Sequence, residues 1–390
     1  MGPAFPARLR RPPLRVWVWL AAALALVVTA ALLWRGSDAA ATESTTAPAA
    51  DVPEGAPAAA VSRIWTADGG PVPALPVQDG RVLVGEEHGV RAFDAVTGEE
   101  AWHYTRSNAR LCDLTAVDGR AVAVFATADR CDEAVALDAG TGVRQWTRNL
   151  SLRPDVTLTS SPGMVLATAP TGVVVVDPGS DTLRWRADAS DGCRIDDGDV
   201  GGTAVVLLES CDGTLRLRGL GRGDGEDSWS QDLVLPDPAV PVALAGSDRL
   251  VAVVAGDALQ LFRATDGSPL PAVGLPPAGP DDPPPAVVES AGALFVWTRG
   301  TTYALDQAAG RLLWSVPSAG LPAAGNEKAL EVLGPPVLVP EDGAFVSRDA
   351  RTGAEIGRST VDDELPAGGS TATVGPVVVY RLADRVLAHR

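Results

Sequence analysis

A ten-residue phrase recurs about every 43 residues along this chain, and it limits the possible folds more than any other feature. The phrase reads apolar-Asp-x-x-Thr-Gly-x-x-x-Trp. Its clear copies contain Asp94, Gly98 and Trp102, and then Asp138, Gly142 and Trp146. Looser copies end at Trp185, or contain Asp306, Gly310 and Trp314. A repeat of 40–50 residues indicates a solenoid or a propeller.

Two positions of the phrase can be followed through seven units. The glycine position holds Gly98, Gly142, Asp181, Gly225, Gly267, Gly310 and Gly353. The tryptophan position holds Trp102, Trp146, Trp185, Trp229, Pro271, Trp314 and Gly357. Trp65 lies 37 residues before Trp102 and fits the start of the series. The units are therefore copies of one structural element, degraded in places.

Each unit reads as strands and turns. Short runs rich in Val, Leu and Ala, such as residues 81–85 and 120–125, are bounded by Gly and Asp and predict strands. Asp and Thr stabilise a turn through backbone amides, and glycine supplies the positive φ that a bulged hairpin needs. Asp181 is expected to adopt that φ in place of glycine. The tryptophan is expected to begin an outer strand, pack on the next unit and donate its N–H to a carbonyl.

No stretch after residue 60 shows a sustained helical period, so the fold class is all-β. Four strands per unit predict a propeller blade. Seven phrases give seven blades, and residues 377–380 and 385–388 supply an eighth that lacks its outer strand. The strand around Trp65 lacks a blade, so joining the two closes an eight-bladed ring without free sheet edges. A seven-bladed ring is the alternative.

The phrase resembles the pyrroloquinoline-quinone (PQQ)-like propeller repeat, also called the tryptophan-docking repeat. The resemblance covers roughly residues 61–390. It implies a propeller fold of the kind found in quinoprotein alcohol dehydrogenases and in their non-enzymatic relatives, which include envelope-assembly factors.

The N-terminal region predicts a membrane anchor. Residues 1–15 carry Arg8, Arg10, Arg11 and Arg15, and residues 16–34 follow without a charge. Nineteen apolar residues just span a hydrocarbon core of about 30 Å, and the preceding arginines predict a cytoplasmic N-terminus with the propeller outside. A cleaved signal peptide, with Ala39-x-Ala41 as its cleavage site, is the alternative. Residues 35–60 are predicted to be a disordered tether, because they are rich in Ala, Pro and Thr.

Charge limits the possible partners. The chain has a net charge of -17, and its first 35 residues contribute five arginines and no acid, so residues 36–390 carry -22. Such a surface argues against nucleic acid, whose binding requires Lys and Arg to neutralise phosphates. Lys328 is the only lysine among many arginines, alanines and prolines, a composition typical of GC-rich genomes such as those of actinobacteria.

Four cysteines occupy equivalent places in the second and fourth units. Cys112 and Cys193 lie 34 and 36 residues before the tryptophan of their unit, and Cys131 and Cys211 lie 15 and 18 residues before it. The equivalence predicts disulfides Cys112–Cys131 and Cys193–Cys211, in keeping with an extracytoplasmic location. A zinc site is the alternative, although no Cys-x-x-Cys is present.

The sequence predicts neither a catalytic site nor a cofactor. The resemblance implies, for enzymes of the family, adjacent cysteines over the quinone and a Ca²⁺ held by Glu, Asn and Asp. This chain has no Cys-Cys and only three asparagines, at positions 108, 149 and 326. An oxidoreductase dependent on PQQ or a metal therefore stays the alternative to a non-catalytic module.

One acidic segment is the candidate binding patch. Around Cys193 the chain carries Asp191, Asp196, Asp197 and Asp199. Carboxylates can bind Ca²⁺, but the spacing matches no EF-hand, and a solvated acidic loop is the alternative. The resulting hypothesis is a membrane-anchored propeller that binds a protein or cell-envelope partner. An extracytoplasmic ligand sensor is a further alternative.

Overall fold

The computed structural model describes residues 14–70, 76–127, 130–152, 155–235, 242–280, 282–323 and 336–390. Two helices come first: α1 (Leu14–Arg35) and α2 (Asp38–Ala41). Seven strands follow the helices: β1 (Thr42–Ser44), β2 (Ala60–Val61), β3 (Arg63–Asp68), β4 (Val77–Gln78), β5 (Arg81–Glu86), β6 (Gly89–Asp94) and β7 (Glu100–Arg106).

The middle of the chain contributes five regular groups of four strands. The first two are β8 (Arg110–Val117), β9 (Arg120–Thr127), β10 (Arg130–Asp138), β11 (Arg144–Asn149), and β12 (Thr157–Ser161), β13 (Met164–Ala169), β14 (Gly172–Val176), β15 (Leu183–Asp188). The third is β16 (Cys193–Val200), β17 (Ala204–Cys211), β18 (Thr214–Gly221), β19 (Asp227–Leu233). The last two are β20 (Val242–Ser247), β21 (Leu250–Ala255), β22 (Ala258–Arg263), β23 (Pro269–Gly274), and β24 (Ala286–Ser290), β25 (Ala293–Thr298), β26 (Thr301–Asp306), β27 (Arg311–Pro317).

The remaining strands complete the ring. They are β28 (Gly320–Leu321), β29 (Val337–Glu341), β30 (Ala344–Arg348), β31 (Glu355–Val361), β32 (Gly369–Val374), β33 (Val377–Arg381) and β34 (Arg385–His389). Eight sheets form, which confirms the eight-bladed propeller. Blades 2 to 6 are the five regular groups, from β8–β11 to β24–β27. Blade 1 is β4–β7 with β1 outside, blade 7 is β29–β31 with β2 outside, and blade 8 is β32–β34 with β3 outside and β28 inside.

The hydrophobic core lies between neighbouring blades. One cluster joins Leu83 and Trp102 of blade 1 to Leu114, Phe125 and Leu137 of blade 2. The other clusters likewise combine residues of adjacent sheets. Each blade is thus buried on both faces, because the second and third strands of a blade are apolar on both sides.

The ring closes by pairing two distant parts of the chain, as the sequence predicts. Strand β3 pairs antiparallel with β34, and Trp65 lies opposite Ala388. Ser62 and Arg390 exchange backbone hydrogen bonds of 3.0 and 2.9 Å. The outer strand of blade 8 therefore comes from the start of the propeller sequence.

The phrase forms the seam between one blade and the next. The Trp102 indole donates a 3.0 Å hydrogen bond to the Ala139 carbonyl of the following blade. Gly142 lies under that indole at φ +77°, and a β-carbon there would come within 2.6 Å of Trp102 Cγ. Equivalent indole bonds of 2.8–3.1 Å are made by Trp65, Trp146, Trp185, Trp229 and Trp314. Glycine is needed both for its positive φ and for the space that it leaves.

One turn is built differently from the prediction. The φ angle of Asp181 is not positive, unlike those of Gly98, Gly142 and Gly225. The bond from the Asp177 amide to the Thr182 carbonyl is the one that the intact turns also make, but the amide that donates to the Asp177 carbonyl is that of Ser180 and not that of residue 181. Arg148 of the preceding blade donates to the Asp181 carbonyl. A non-glycine residue fits because the turn changes shape, and the Trp146 indole still reaches the Pro178 carbonyl.

Two seams lack the tryptophan. In blade 5 the position holds Pro271, and Leu270 lies over Gly310 of blade 6 instead. In blade 7 it holds Gly357, and an added β-carbon there would meet nothing within 4 Å. The second case follows from ring closure: blade 8 joins its last two strands through β3 and β34, so it offers no turn on which an indole could dock.

The segment after α1 differs from the predicted disordered tether of residues 35–60. Strand β1 adds to the open edge of β7, with Thr42 opposite Arg106. The Arg106 side chain is 1% exposed and donates to Asp38 at 2.8 Å and to Glu133 at 2.5 Å. Arg81 donates to the Pro48 carbonyl at 2.9 Å. The segment is ordered because its backbone supplies hydrogen bonds to the open edge of β7 and its Asp38 pairs with the buried Arg106 guanidinium. The composition of the segment does not reveal these contacts.

Helix α1 covers the predicted span of residues 16–34. It is apolar and long enough to cross a membrane, and none of its residues is buried against the protein. A signal sequence would have the same properties. Of the predicted basic segment at residues 1–15, only Leu14 and Arg15 fall within the described residues.

Candidate binding site

The propeller has two unlike faces. The loops between the first and second strands of each blade, and the phrase turns between the third and fourth, lie on what we call the turn face. Both disulfides lie on the opposite face, here called the disulfide face. Cys112 of β8 is joined to Cys131 of β10, and Cys193 of β16 to Cys211 of β17, with Cα–Cα distances of 6.0 and 4.2 Å. These are the pairs that the sequence predicts.

The sulfurs of Cys193 and Cys211 lie near the Glu209 carboxylate, a grouping of metal-ligand types. Both sulfurs are used in the disulfide. Glu209, which is fully buried, accepts hydrogen bonds from the Ser190 amide and hydroxyl at 3.0 and 2.7 Å and pairs with Arg218 at 3.3 Å. The donor set is therefore already satisfied by the protein and does not fit a zinc ion.

The predicted acidic patch is divided by the structure. It is not a loop, because β16 contains three of its four aspartates. Asp191 is exposed before the strand, and Asp196 is exposed at a bulge, where it accepts the Ser210 hydroxyl and lies 3.7 Å from Arg194. Only these two aspartates remain on the disulfide face as an accessible pair.

Asp197 joins blade 4 to blade 5. Its carboxylate accepts the Gly198 amide at 2.8 Å, and the Leu244 amide of β20 also bonds to it. Desolvation by burial raises the pKa of Asp197 to about 6. Asp113 has the same role in blade 2, because it accepts the amide of Leu158 in blade 3 at 2.7 Å. Both aspartates follow a bulge in an innermost strand.

Asp199 belongs to a group that sequence reasoning missed, which we call the acidic centre: Asp199, Asp248 and Glu289, from blades 4, 5 and 6. Asp199 accepts the Ser247 hydroxyl at 2.9 Å, and Asp248 accepts the Gly202 amide at 2.5 Å. Burial raises the pKa of Asp199. Burial, and then the negative charge of Asp248, raise the pKa of Glu289 to about 8.

Burial, and then the negative charges within the acidic centre, therefore raise the pKa of Asp199 and of Glu289. No spacing in the sequence marks these three residues as neighbours. They meet because the innermost strands of successive blades converge on the axis of the ring. The arrangement joins blades through hydrogen bonds and can exchange a proton with solvent.

Among the residues that the structure describes, neither asparagine is placed as a ligand for the quinone site that the propeller resemblance implies. Asn108 donates to Asp38 at 2.8 Å beside the docked N-terminal segment, and Asn149 donates to Asp132 at 3.1 Å. Both amides are thus engaged at the ends of outer strands. Asn326 lies outside the described residues. The sequence has no adjacent cysteines.

Comparison with known proteins places these features in a family. The family model described as outer membrane protein assembly factor BamB matches residues 29–206 and 170–389. Among curated proteins, none matches the chain.

Solved structures share the fold at low sequence identity. BamB from Moraxella catarrhalis is 17% identical, with a TM-score of 0.50 over 85% of this chain and 99% of that one. Quinohemoprotein alcohol dehydrogenase from Comamonas testosteroni is 13% identical, with a TM-score of 0.51 over 85% and 76%. The computationally designed Ika8 protein is 17% identical, with a TM-score of 0.54 over 84% and 98%. An assembly factor, an alcohol dehydrogenase and a designed protein thus share this architecture, so the fold alone assigns no activity.

Proposed function

We propose a function from one premise: this chain belongs to the family of outer membrane protein assembly factor BamB. The protein is a membrane-tethered propeller outside the cytoplasm that binds a protein or cell-envelope partner and has no catalytic activity. Its role is to hold a preformed surface in a fixed position.

The closed ring is the observation that carries this proposal. Six indole bonds fix blades against their neighbours, the pairing of β3 with β34 closes the ring, and each disulfide ties strands together within one blade. A surface that is already ordered loses little conformational entropy when it binds. Rigidity of this kind suits a scaffold whose loops recognise a partner.

The membrane address follows from α1 and from the residues after it. An apolar helix with all of its residues exposed requires a lipid environment or a partner. Asp38, which pairs with Arg106, lies three residues after the end of α1. The propeller would therefore sit close to the membrane, with the edge of blade 1 nearest to it. Disulfides fit an oxidising compartment outside the cytoplasm.

We propose that the protein is not catalytic because the side chains that could form an active site are already engaged in structural contacts. Asn108 and Asn149 are engaged at the blade edges, the cysteines are bonded in pairs, and the acidic centre is held by hydrogen bonds between blades. None of these groups pairs a nucleophile with a base.

Affinity purification tests the proposal. The full-length protein would be captured from membranes in mild detergent, and the eluate examined by mass spectrometry, metal analysis and absorbance spectroscopy. The matched control carries residues 1–60 fused to an inert secreted domain, so that it keeps the anchor and lacks the propeller.

We expect a stoichiometric envelope protein that the control does not retain, with no chromophore. A bound quinone or Ca²⁺ without a protein partner would contradict the scaffold and favour an oxidoreductase. Protease treatment of intact cells tests the orientation: we expect the propeller to be cleaved by external protease, and its protection would contradict the topology.

A further inference from the structure

The seam between blades 5 and 6 is the one internal seam among the described residues where a phrase turn is present and no tryptophan docks on it. Leu261 pairs with Leu270 and Phe262 with Pro269, and the ladder becomes irregular only beyond Leu261. In blade 4 the register changes one residue pair closer to the phrase turn, between Gly219 and Leu220, and Gly219 therefore lies opposite Trp229. The shifted register brings Leu270, rather than Pro271, over Gly310.

A leucine side chain fills less space than an indole, and a cavity of about 250 Å³ lies at this seam on the turn face. Gln307 lines it and directly follows the phrase aspartate Asp306. In blades 2 and 7 the residues at that place, Ala139 and Ala350, present the carbonyl that accepts an indole N–H. The cavity therefore occupies the docking position that a tryptophan holds at six of the other seams.

At the cavity, the phrase position that is an aspartate in blades 1 and 2 is an arginine. In blades 1 and 2 the phrase aspartate pairs with the arginine opposite, as Asp94 does with Arg81 at 2.7 Å and Asp138 with Arg120 at 3.0 Å. Blade 5 has Arg263 in place of that aspartate. The cavity walls include the side chains of Arg249, Arg263, Thr203, Thr265, Gln307 and Leu270.

Both guanidinium groups are available. Arg249 and Arg263 are exposed, and neither side chain has a hydrogen bond or an ion pair among the described residues. Arg249 acts electrostatically on Glu289 without an ion pair to it, and the pKa of that carboxyl is raised to about 8. Arg263 influences Asp266, whose carboxylate already accepts the Ser268 amide at 2.9 Å. Two uncompensated cations in one cavity are unusual on a chain with a net charge of -17.

We propose that this cavity binds an acidic segment of a partner polypeptide, with a carboxylate held by Arg249 and Arg263 and a neighbouring apolar side chain seated against Leu270. Arginine binds carboxylates through two parallel hydrogen bonds, which gives direction as well as affinity. The threonine hydroxyls and the Gln307 amide add donors at the rim. The inference rests on the proposed scaffold function, and it names the surface that receives the partner.

Fluorescence anisotropy with the full-length protein in mild detergent tests the site. The probe is a fluorescein-labelled peptide, Trp-Asp-Trp-Glu, and its counterpart Trp-Asn-Trp-Gln has the same shape without charge. We expect at least tenfold weaker binding of the uncharged peptide. Arg249→Gln and Arg263→Gln should each weaken the acidic peptide at least fivefold. Arg351→Gln, at the exposed phrase turn of blade 7, is the matched control and should leave binding unchanged.

Leu270→Trp provides a second, steric test, because an indole restored to the seam would fill the cavity. We expect this variant to lose peptide binding while its melting temperature stays the same or rises. Equal binding of both peptides, an unchanged affinity in the arginine variants, or displacement of the peptide by equimolar inorganic phosphate would each overturn the proposal. The last result would identify a site for small free anions.

The same variants separate this inference from the proposed function. If the Arg249→Gln, Arg263→Gln double variant still captures the envelope partner from membranes, the scaffold function stands and this cavity is not its docking site. If the wild-type protein captures no partner and yet binds the acidic peptide as expected, the scaffold function fails and the cavity remains a carboxylate site.

Discussion

The seam between blades 1 and 2 and the seam between blades 5 and 6 use the same repeat for different ends. At the first, Trp102 is completely buried, its N–H is bonded and Gly142 lies beneath it. At the second, Leu270 covers Gly310 only partly, two arginines line a cavity, and the acidic centre lies on the same blades. Where the phrase is intact the seam serves stability, and where it has changed the seam has room for a ligand.

Removing the indole should have the largest effect. We expect Trp102→Ala to lower the free energy of unfolding by about 3–5 kcal/mol, since it deletes a fully buried ring and a hydrogen bond. Leu270→Ala, at a half-buried site already beside a cavity, should cost about 1–2 kcal/mol. Urea unfolding of the full-length protein in detergent measures both. Equal losses would contradict the distinction between the two seams.

The glycine under the indole should have an intermediate effect. Gly142→Ala places a methyl group 2.6 Å from Trp102 Cγ at φ +77°, so we expect a loss of about 2 kcal/mol or more. Gly357→Ala is the matched control, because its backbone φ is ordinary and its surroundings are open, and it should be neutral within about 0.5 kcal/mol. A shift of melting temperature in the control as large as in Gly142→Ala would show that docking is not the reason for the glycine.

The smallest effect concerns pH. The pKa of Glu289 is raised to about 8 in the folded protein, above its value near 4.5 when unfolded. The folded state therefore holds a proton that the unfolded state releases between about pH 4.5 and pH 8, and stability falls as pH rises through this window. Glu289→Gln should reduce the fall, by a modest amount because solvent screens a partly exposed carboxyl.

Thermal unfolding at pH 5, 7 and 9 measures that dependence. Asp266→Asn is the control, because the Asp266 carboxyl is fully exposed and its pKa is lowered instead, by its bonds to Ser268. If the Glu289→Gln protein lost stability with rising pH more steeply than the wild type, Glu289 would not be the source of the pH dependence.

The period of the sequence was sufficient to predict the ring, the closure through Trp65 and the disulfide pairs. These features depend on which residue occupies each position of a repeat, and the repeat is visible in the chain itself. The shift that brings Leu270 over Gly310 could not be predicted, because Pro271 marks the loss of tryptophan but does not say which neighbour replaces it. Strand register is decided by packing on both sides.

Tertiary contacts explain the other differences. The segment from Asp38 to Pro48 has the composition of a disordered linker, yet it binds to Arg106 and Arg81 at an edge that only the assembled blade provides. The sequence around Asp197 and Asp199 predicts a loop, because glycine and aspartate are rare in strands. The Leu244 amide and the Ser247 hydroxyl of the neighbouring blade bond to these carboxylates and hold them in β16. The sequence therefore located the acidic segment without revealing its role.

Ring closure also has a consequence for the order of events during biosynthesis. Strand β3 leaves the ribosome early and its partner β34 only after every other strand, and the hydrogen bond from Thr360 to Ala59 likewise spans 301 residues. Contacts so distant in sequence form slowly. Until they do, the outer edges of blades 7 and 8 are bare and can pair with other chains. The half-made ring is thus the form of this protein most exposed to aggregation, and the one most in need of a chaperone.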